Sequence, residues 1–282
     1  MKRMVFAVLT GAAALAVLVV IQGCGVLGGP PTGVAVSAGP DESDSTVVVS
    51  WTPPAEGGPD KYIVYFRAVT DSGFEVIGEA TGTSYAHNPH DTTGQYKVAA
   101  VFEGESYEGA DKPTTVPIHS DATTLFEINA DSSKCGYGWT RDSGIGGVFK
   151  MTDSANCGSV DFYISDLMAG FGQVSIKVVR PDTTAIDPGA GIVPAADWRA
   201  SAFSDPRDDP QAPLPRLDAL PPARYWTFCG ISRVPCYIAY VAAGQQERHY
   251  ALIQVNNVDV ASGQVELETF YQLVPGLRLI RH

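Results

Sequence analysis

The residues most suited to ligand chemistry lie in a glycine-rich string, Gly136–Gly147, which carries Tyr137, Trp139 and Arg141. Glycines allow a loop to take backbone angles closed to other residues. Aromatic rings in such a loop can stack on a flat ligand such as a sugar, and Arg141 can add hydrogen bonds. Trp198 lies in a second irregular stretch, so we predict a ligand site built from these four residues. The alternative is that the rings fill the end of a hydrophobic core, which is the commoner role of large aromatic side chains.

Four carboxylates punctuate the same part of the chain: Asp142, Asp153, Asp161 and Asp166. Two carboxyl groups roughly 5–10 Å apart could hydrolyse a glycosidic bond. The sequence contains no Gly-x-Ser-x-Gly, no His-Glu-x-x-His and no phosphate-binding loop. In so acidic a chain, exposed strand positions are the stronger interpretation of these aspartates. We therefore assign no catalytic residue, and we expect no cofactor.

Four of the five cysteines lie at positions 135, 157, 229 and 236. None forms a Cys-x-x-Cys pair or has a histidine nearby, so a zinc site is not indicated and no metal is expected. An even number of cysteines in an exported protein indicates disulfides, for which three pairings are possible. We predict the local pairs Cys135–Cys157, which brackets the glycine-rich string, and Cys229–Cys236, which flanks a six-residue connection.

The N-terminus has the pattern of an export signal. Lys2 and Arg3 precede an uncharged apolar run, Met4–Ile21, which ends in Ile21-Gln22-Gly23-Cys24. These residues resemble the lipobox of bacterial lipoproteins. The resemblance implies removal of residues 1–23 and lipidation of Cys24, and Gly25 after it favours the outer membrane. An uncleaved membrane anchor is the alternative, because the run approaches the length needed to span a bilayer, but the cysteine at its end favours the lipoprotein.

The charge of the chain limits its partners. Thirty-one acidic and 19 basic residues give a net charge of −12. Such a protein is repelled by nucleic acid and by anionic lipid headgroups, so nucleic-acid binding is not expected. Its membrane contact would come through the lipid on Cys24, with residues 24–31 as a Gly/Pro tether that holds the first domain close to the membrane.

Residues 32–119 alternate apolar and polar side chains in short segments between turn signals, which is typical of an antiparallel sandwich. The segments containing Trp51, Tyr62 and Tyr96 resemble strands B, C and F of a fibronectin type III domain. The resemblance implies that Trp51 and Tyr96 are core residues. It carries no Arg-Gly-Asp loop, so integrin-type recognition is not implied.

Residues 121–282 contain further short apolar segments without a helical period, and we predict a second β-sandwich of the jelly-roll kind. A long proline-rich stretch, 181–223, interrupts them with nine prolines. It also carries several large apolar residues, which a disordered linker seldom needs. We therefore predict a loop that is pinned onto the sandwich.

The sequence as a whole indicates an all-β, lipid-anchored protein of the bacterial cell envelope. The favoured function is a non-catalytic adhesion, binding or scaffold module for a glycan or protein ligand. The alternative is a secreted glycan-active hydrolase with an accessory fibronectin type III domain.

Overall fold

The computed structural model describes residues 28–40, 46–172, 174–191, 197–209, 226–242 and 248–280. The predicted signal sequence, Cys24 and most of the tether lie outside these ranges. No helix in the described part of the chain is long and apolar enough to cross a membrane. The regular structure there is β-strand, with short 3₁₀ turns at Ser132–Lys134, Ser154–Asn156 and Pro181–Thr183.

The first sandwich contains seven strands in two sheets. They are β1 (Thr32–Ala38), β2 (Val47–Thr52), β3 (Lys61–Ala68), β4 (Glu75–Ala80), β5 (Ser84–His87), β6 (Gly94–Phe102) and β7 (Glu105–Glu108). One sheet has the order β1-β2-β5 and the other β4-β3-β6-β7, and every pair is antiparallel. The first sandwich is therefore fibronectin type III-like, as the resemblance implied.

Alternation along the strands sets the core of this sandwich, because successive side chains of a strand point to opposite faces. In β2, Val47, Val49 and Trp51 are buried while Ser50 is exposed. The Trp51 ring meets Tyr62 with 5.0 Å between centroids, and Tyr96 is fully buried. The prediction that Trp51 and Tyr96 are core residues is confirmed.

The second sandwich contains ten strands. They are β8 (Ile118–Phe126), β9 (Gly136–Trp139), β10 (Gly146–Phe149), β11 (Phe162–Ser165), β12 (Lys177–Val179), β13 (Ala202–Phe203), β14 (Phe228–Gly230), β15 (Cys236–Val241), β16 (Tyr250–Asp259) and β17 (Gln264–Tyr271). One sheet has the order β10-β9-β11-β12-β14 and the other β13-β15-β16-β17-β8. Both sheets contribute to one hydrophobic cluster, so they pack face to face.

The connections of this second sandwich differ from those of a jelly roll. Strands β15, β16 and β17 follow one another as neighbours in one sheet, whereas a jelly roll interleaves two Greek keys. At one edge, mutual backbone hydrogen bonds between Phe203 and Trp226 join the two sheets. At the other edge β8 and β10 end their sheets, and the Gly146 amide donates to Ser120 Oγ across the gap at 3.0 Å.

The described parts of the proline-rich stretch cover the outer face of the β10-β9-β11-β12-β14 sheet. Trp198 and Ala190 pack in one cluster with Tyr163 and Val179 of that sheet. The Tyr163 hydroxyl donates to Asp187 Oδ2 at 2.6 Å. The stretch also supplies β13, which the sequence did not indicate. Residues 181–191 and 197–209 of the stretch thus lie against the sandwich, while 192–196 and 210–223 lie outside the described residues.

The C-terminal tail joins the two sandwiches. Val274, Leu277 and Leu279 follow β17 but pack in the same cluster as the core of the first sandwich. Gln272, fully buried, donates through Nε2 to the carbonyl of Thr115 at 2.9 Å and to that of Leu279 at 2.8 Å. The last residues of the predicted second domain therefore complete the core of the first.

Candidate functional site

The glycine-rich string predicted to be a ligand loop contains a central strand instead. Strand β9 lies between β10 and β11, and all four of its residues are buried. Tyr137 and Trp139 alternate with Gly136 and Gly138, so both rings point into the core and both glycines face outward. A Cβ on Gly138 would lie 1.8 Å from the carbonyl oxygen of Ser159. The glycines thus let the overlying segment approach the sheet.

The polar atoms of the two rings are also used internally. The Trp139 Nε1 donates to Thr269 Oγ1 at 3.0 Å, and the Tyr137 hydroxyl bonds the same oxygen at 2.9 Å. Burial raises the pKa of Tyr137. Trp198 is only 5% exposed. The three rings predicted to form a ligand platform are therefore buried in the protein, which is the position that the alternative interpretation gave them.

Arg141 belongs to a buried ionic network centred on Asp161, whose side chain is fully enclosed. Arg141 Nη2 lies 2.5 Å from Asp161 Oδ1, and Arg199 Nη1 lies 3.0 Å from Oδ2. The same carboxylate accepts from the Trp139 amide at 2.9 Å and from the Tyr240 hydroxyl at 2.7 Å. Four donors and two positive charges therefore compensate the burial of this carboxylate.

The network joins both sheets and the covering loop. Asp161 and Trp139 belong to one side of the sandwich, Tyr240 lies in β15 of the opposite sheet, and Arg199 follows Trp198 in the covering loop. Arg199 Nη1 also donates to the carbonyls of Trp139 and Ser159. These bonds connect the two sheets and the covering loop. Both carboxylate oxygens of Asp161 are used in them, which leaves neither oxygen free for acid–base chemistry.

The other predicted carboxylates also lack the arrangement of a hydrolase pair. Asp142 is exposed, and Asp153 accepts from the Ala155 amide at the start of a 3₁₀ turn. Asp166 is buried and accepts from the amides of Met168 and Gly172, both at 2.9 Å. Across the ranges the structure describes, no group of three or more His, Cys, Asp and Glu side chains is arranged to hold a metal ion.

Glu127 is a buried acid that the sequence analysis did not identify. Its Oε2 accepts from the amides of Asn129 at 2.7 Å and Ala130 at 3.1 Å. Burial, with a smaller contribution from the charge of Asp166, raises the pKa of this carboxyl. The carboxylate replaces missing backbone partners at the turn after β8, which is a structural role.

All four cysteines in the described residues are buried and unbonded. Cys229 and Cys236 face the same core from opposite sheets, and burial, with a smaller contribution from Cys236, raises the pKa of Cys229. Cys135 and Cys157 pack in one cluster on the outer face of the sheet. The two predicted pairs therefore each share a hydrophobic environment, and the disulfides stay predictions.

Exposed aromatic residues occur at the edge of the second sandwich where Phe203 and Trp226 join the two sheets, which we call the sealed edge. Trp226 and Phe228 are 44% and 43% exposed, and Trp226 Nε1 donates to Asp205 Oδ1 at 2.9 Å. Together with Pro206 and Thr227 they line a cavity of about 190 Å³. We call Asp205, Trp226 and Phe228 the aromatic corner. The sequence analysis gave these residues no role, because nothing in the sequence shows which aromatic residues reach the surface.

Two of the larger grooves lie beside the ends of strands. One, of about 490 Å³, runs between the first sandwich and the linker and includes Arg67, Gln95 and Pro117. The other, of about 360 Å³, follows the open edge between His119 and Val148. In the second groove His119 Nε2 lies 2.8 Å from Glu268 Oε2, and its Nδ1 lies 4.0 Å from Asp121 Oδ1.

The chain resembles several solved structures at low overall similarity. No protein-family model and no curated protein matches it. Similar solved structures include domains A168–A170 of titin, at 31% identity over 30% of this chain and 30% of that one, with a TM-score of 0.26. A fibronectin type III domain of human collagen XX has 26% identity over 38% of this chain and 100% of that one, with a TM-score of 0.26. A fibronectin type III-like protein from Clostridium thermocellum has 23% identity over 30% and 86%, with a TM-score of 0.24.

The chain thus spans less than a third of the titin structure that it matches. The fold type of the first sandwich rests on its own strand order and core, described above. Taken together, the structure is an all-β chain with a fibronectin type III-like sandwich followed by a second, larger sandwich.

Proposed function

We propose that this protein is a lipid-anchored, non-catalytic surface module in which the first sandwich holds the second at a fixed orientation for binding. The observation that carries the proposal is the packing of the C-terminal tail in the core of the first sandwich. A domain connected only by a linker reorients freely, whereas a shared hydrophobic core fixes the relative orientation of its parts.

The buried polar contacts at the junction support the same conclusion. Gln272 bonds the linker at Thr115 and the tail at Leu279, and the Thr115 hydroxyl accepts from the Gly94 amide at 3.0 Å. These bonds are enclosed in protein, where breaking them leaves unpaired polar groups at a substantial cost. The two sandwiches are thereby coupled as a rigid spacer and platform.

The hydrolase alternative receives no support from the described carboxylates. Asp161 and Asp166 are held by structural hydrogen bonds, and Asp142 and Asp153 are isolated on the surface. A fibronectin type III-like domain is consistent with a binding or scaffold role, and the lipobox resemblance supports anchoring at Cys24.

Two measurements test the proposal. Metabolic labelling with an alkyne fatty acid should mark the wild type and leave Cys24→Ala unlabelled, and equal labelling would contradict anchoring. Purified full-length protein in detergent is then applied to arrays of glycans and bacterial surface proteins. Retention without release of reducing sugar ends is expected, whereas release of reducing ends would favour the hydrolase.

A further inference from the structure

We propose that the aromatic corner, Asp205, Trp226 and Phe228, is a binding subsite for a neutral sugar ring of a polysaccharide. This inference rests on the proposed function, because it names a ligand class for the surface module. It assigns recognition to the sealed edge of the second sandwich rather than to the glycine-rich string.

The exposure of Trp226 sets it apart from the other tryptophans of the chain. The sequence contains four tryptophans, and Trp51, Trp139 and Trp198 are at most 5% exposed. Trp226 is 44% exposed, although a buried position would remove far more apolar surface from water. A large ring left at the surface of a chain that otherwise buries tryptophan indicates a surface that meets a partner.

The Trp226 ring is held in place. Its backbone is bonded on both sides to Phe203, with N···O distances of 2.7 and 3.0 Å, at the bridge that joins the two sheets. Its Nε1 donates to Asp205 Oδ1 at 2.9 Å. The indole therefore has little freedom to lose on binding, which is the main condition for a preorganised stacking surface.

Phe228 extends this surface along the strand. Trp226 and Phe228 line the same cavity and both are exposed, so their side chains can contact one ligand. Phe228 pairs with Val179 in the neighbouring strand, which fixes its position on the outer face. The adjoining cavity of about 190 Å³ is smaller than the roughly 300–1,000 Å³ of drug-sized pockets and suits a single sugar ring.

The chemistry of the corner selects a neutral sugar. The negative face of an aromatic ring attracts the weakly positive C–H groups on one face of a pyranose. The Asp205 carboxylate can accept a hydrogen bond from a sugar hydroxyl. The chain carries a net charge of −12 and the Asp205 carboxylate lines the corner, so acidic polysaccharides and nucleic acids are disfavoured.

The test uses affinity electrophoresis and tryptophan fluorescence with purified full-length protein in detergent. The probes are soluble β-1,3-glucan, mannan, starch and chitooligosaccharides, with polygalacturonate as an acidic control and polylysine as a cationic one. We expect retention by at least one neutral probe and a shift in tryptophan emission on titration. Trp226→Ala and Phe228→Ala should each weaken binding at least tenfold, and Trp226→Ala should remove the emission shift.

A matched control and a melting curve separate binding from folding. Ile145→Ala, which removes an exposed apolar side chain at the opposite edge, should leave binding unchanged, and all three variants should melt close to wild type. If the wild type binds a neutral probe and Trp226→Ala binds it equally well, the aromatic corner is not the site and the proposed function stands. If the wild type is retained by polylysine alone, the corner is not a sugar subsite. If the wild type is retained by no probe and by no array, both proposals fail.

Discussion

Leu277 offers the sharpest test of the shared core. Its side chain is fully buried, although it lies at the C-terminal end of a chain whose first sandwich begins at Thr32. It packs in the cluster of Val47, Val98 and other residues of the first sandwich. Replacing a fully buried leucine with alanine typically costs about 2–5 kcal/mol, because the cavity left behind cannot collapse completely. Leu277→Ala should therefore destabilise the first sandwich by that amount.

The melting temperature converts this cost into an observable. For a domain of about 60–100 residues, each kcal/mol lowers the melting temperature by roughly 4–8 °C, so a shift of at least about 8 °C is expected. Amide hydrogen exchange locates the effect. Protection of the β6 amides of Val98 and Ala100 should fall in Leu277→Ala, although these residues are far away in sequence.

The control is Val260→Ala, which truncates a partly exposed side chain just after β16. It should change stability by no more than about 0.5 kcal/mol and leave β6 protection unchanged. If Leu277→Ala melts like wild type and β6 exchange is unaffected, the tail does not complete the first core. The argument for a rigid arrangement would then fail.

Three further predictions concern buried polar and sulfur groups. Asp161→Asn should cost about 3–5 kcal/mol, since two arginines lose their buried counter-charge; urea unfolding measures this, and a cost under 1 kcal/mol would contradict the network's role. Burial raises the pKa of Glu127 above its ordinary value of 4.5, so the folded form holds the proton more tightly than the unfolded form does, and stability should fall as pH rises from 4.5 through the folded-state pKa. Glu127→Gln should flatten this part of the pH–stability curve, and an unchanged slope would refute the assignment. Burial raises the pKa of Cys229 to about 12 and of Cys236 to about 11, so in reduced protein both thiols should resist alkylation by iodoacetamide at pH 8. In exported protein, non-reducing peptide mapping should recover the disulfides Cys229–Cys236 and Cys135–Cys157, and crossed pairs would overturn this pairing.

The sequence determined the strand character of most segments, because alternation of apolar and polar side chains is a local property. The alternation of Val47, Val49 and Trp51 predicted an inward face, and the structure buries all three. Local pattern was sufficient wherever one face of a strand is apolar and the other polar.

Local pattern failed for β9, where glycine indicated a loop. Glycine is unfavourable in strands for its conformational entropy and lack of side chain. Here the absence of a Cβ is required at Gly138, where the backbone of Ser159 lies against the strand, a contact between segments that the sequence does not display. The fate of Tyr137 and Trp139 followed from that strand assignment, since a strand points them into the core and a loop would expose them.

The charge, the alternating strands and the lipobox-like N-terminus were therefore determined by the sequence alone, because each depends on neighbouring residues. The tertiary structure alone decided that Asp161 is neutralised by arginines from two distant segments and that the tail from Val274 to Leu279 completes the first core. It also decided that Trp226, of four tryptophans, stays exposed. These properties depend on which segments pack together, and burial of a side chain is set by the whole fold rather than by its neighbours in sequence.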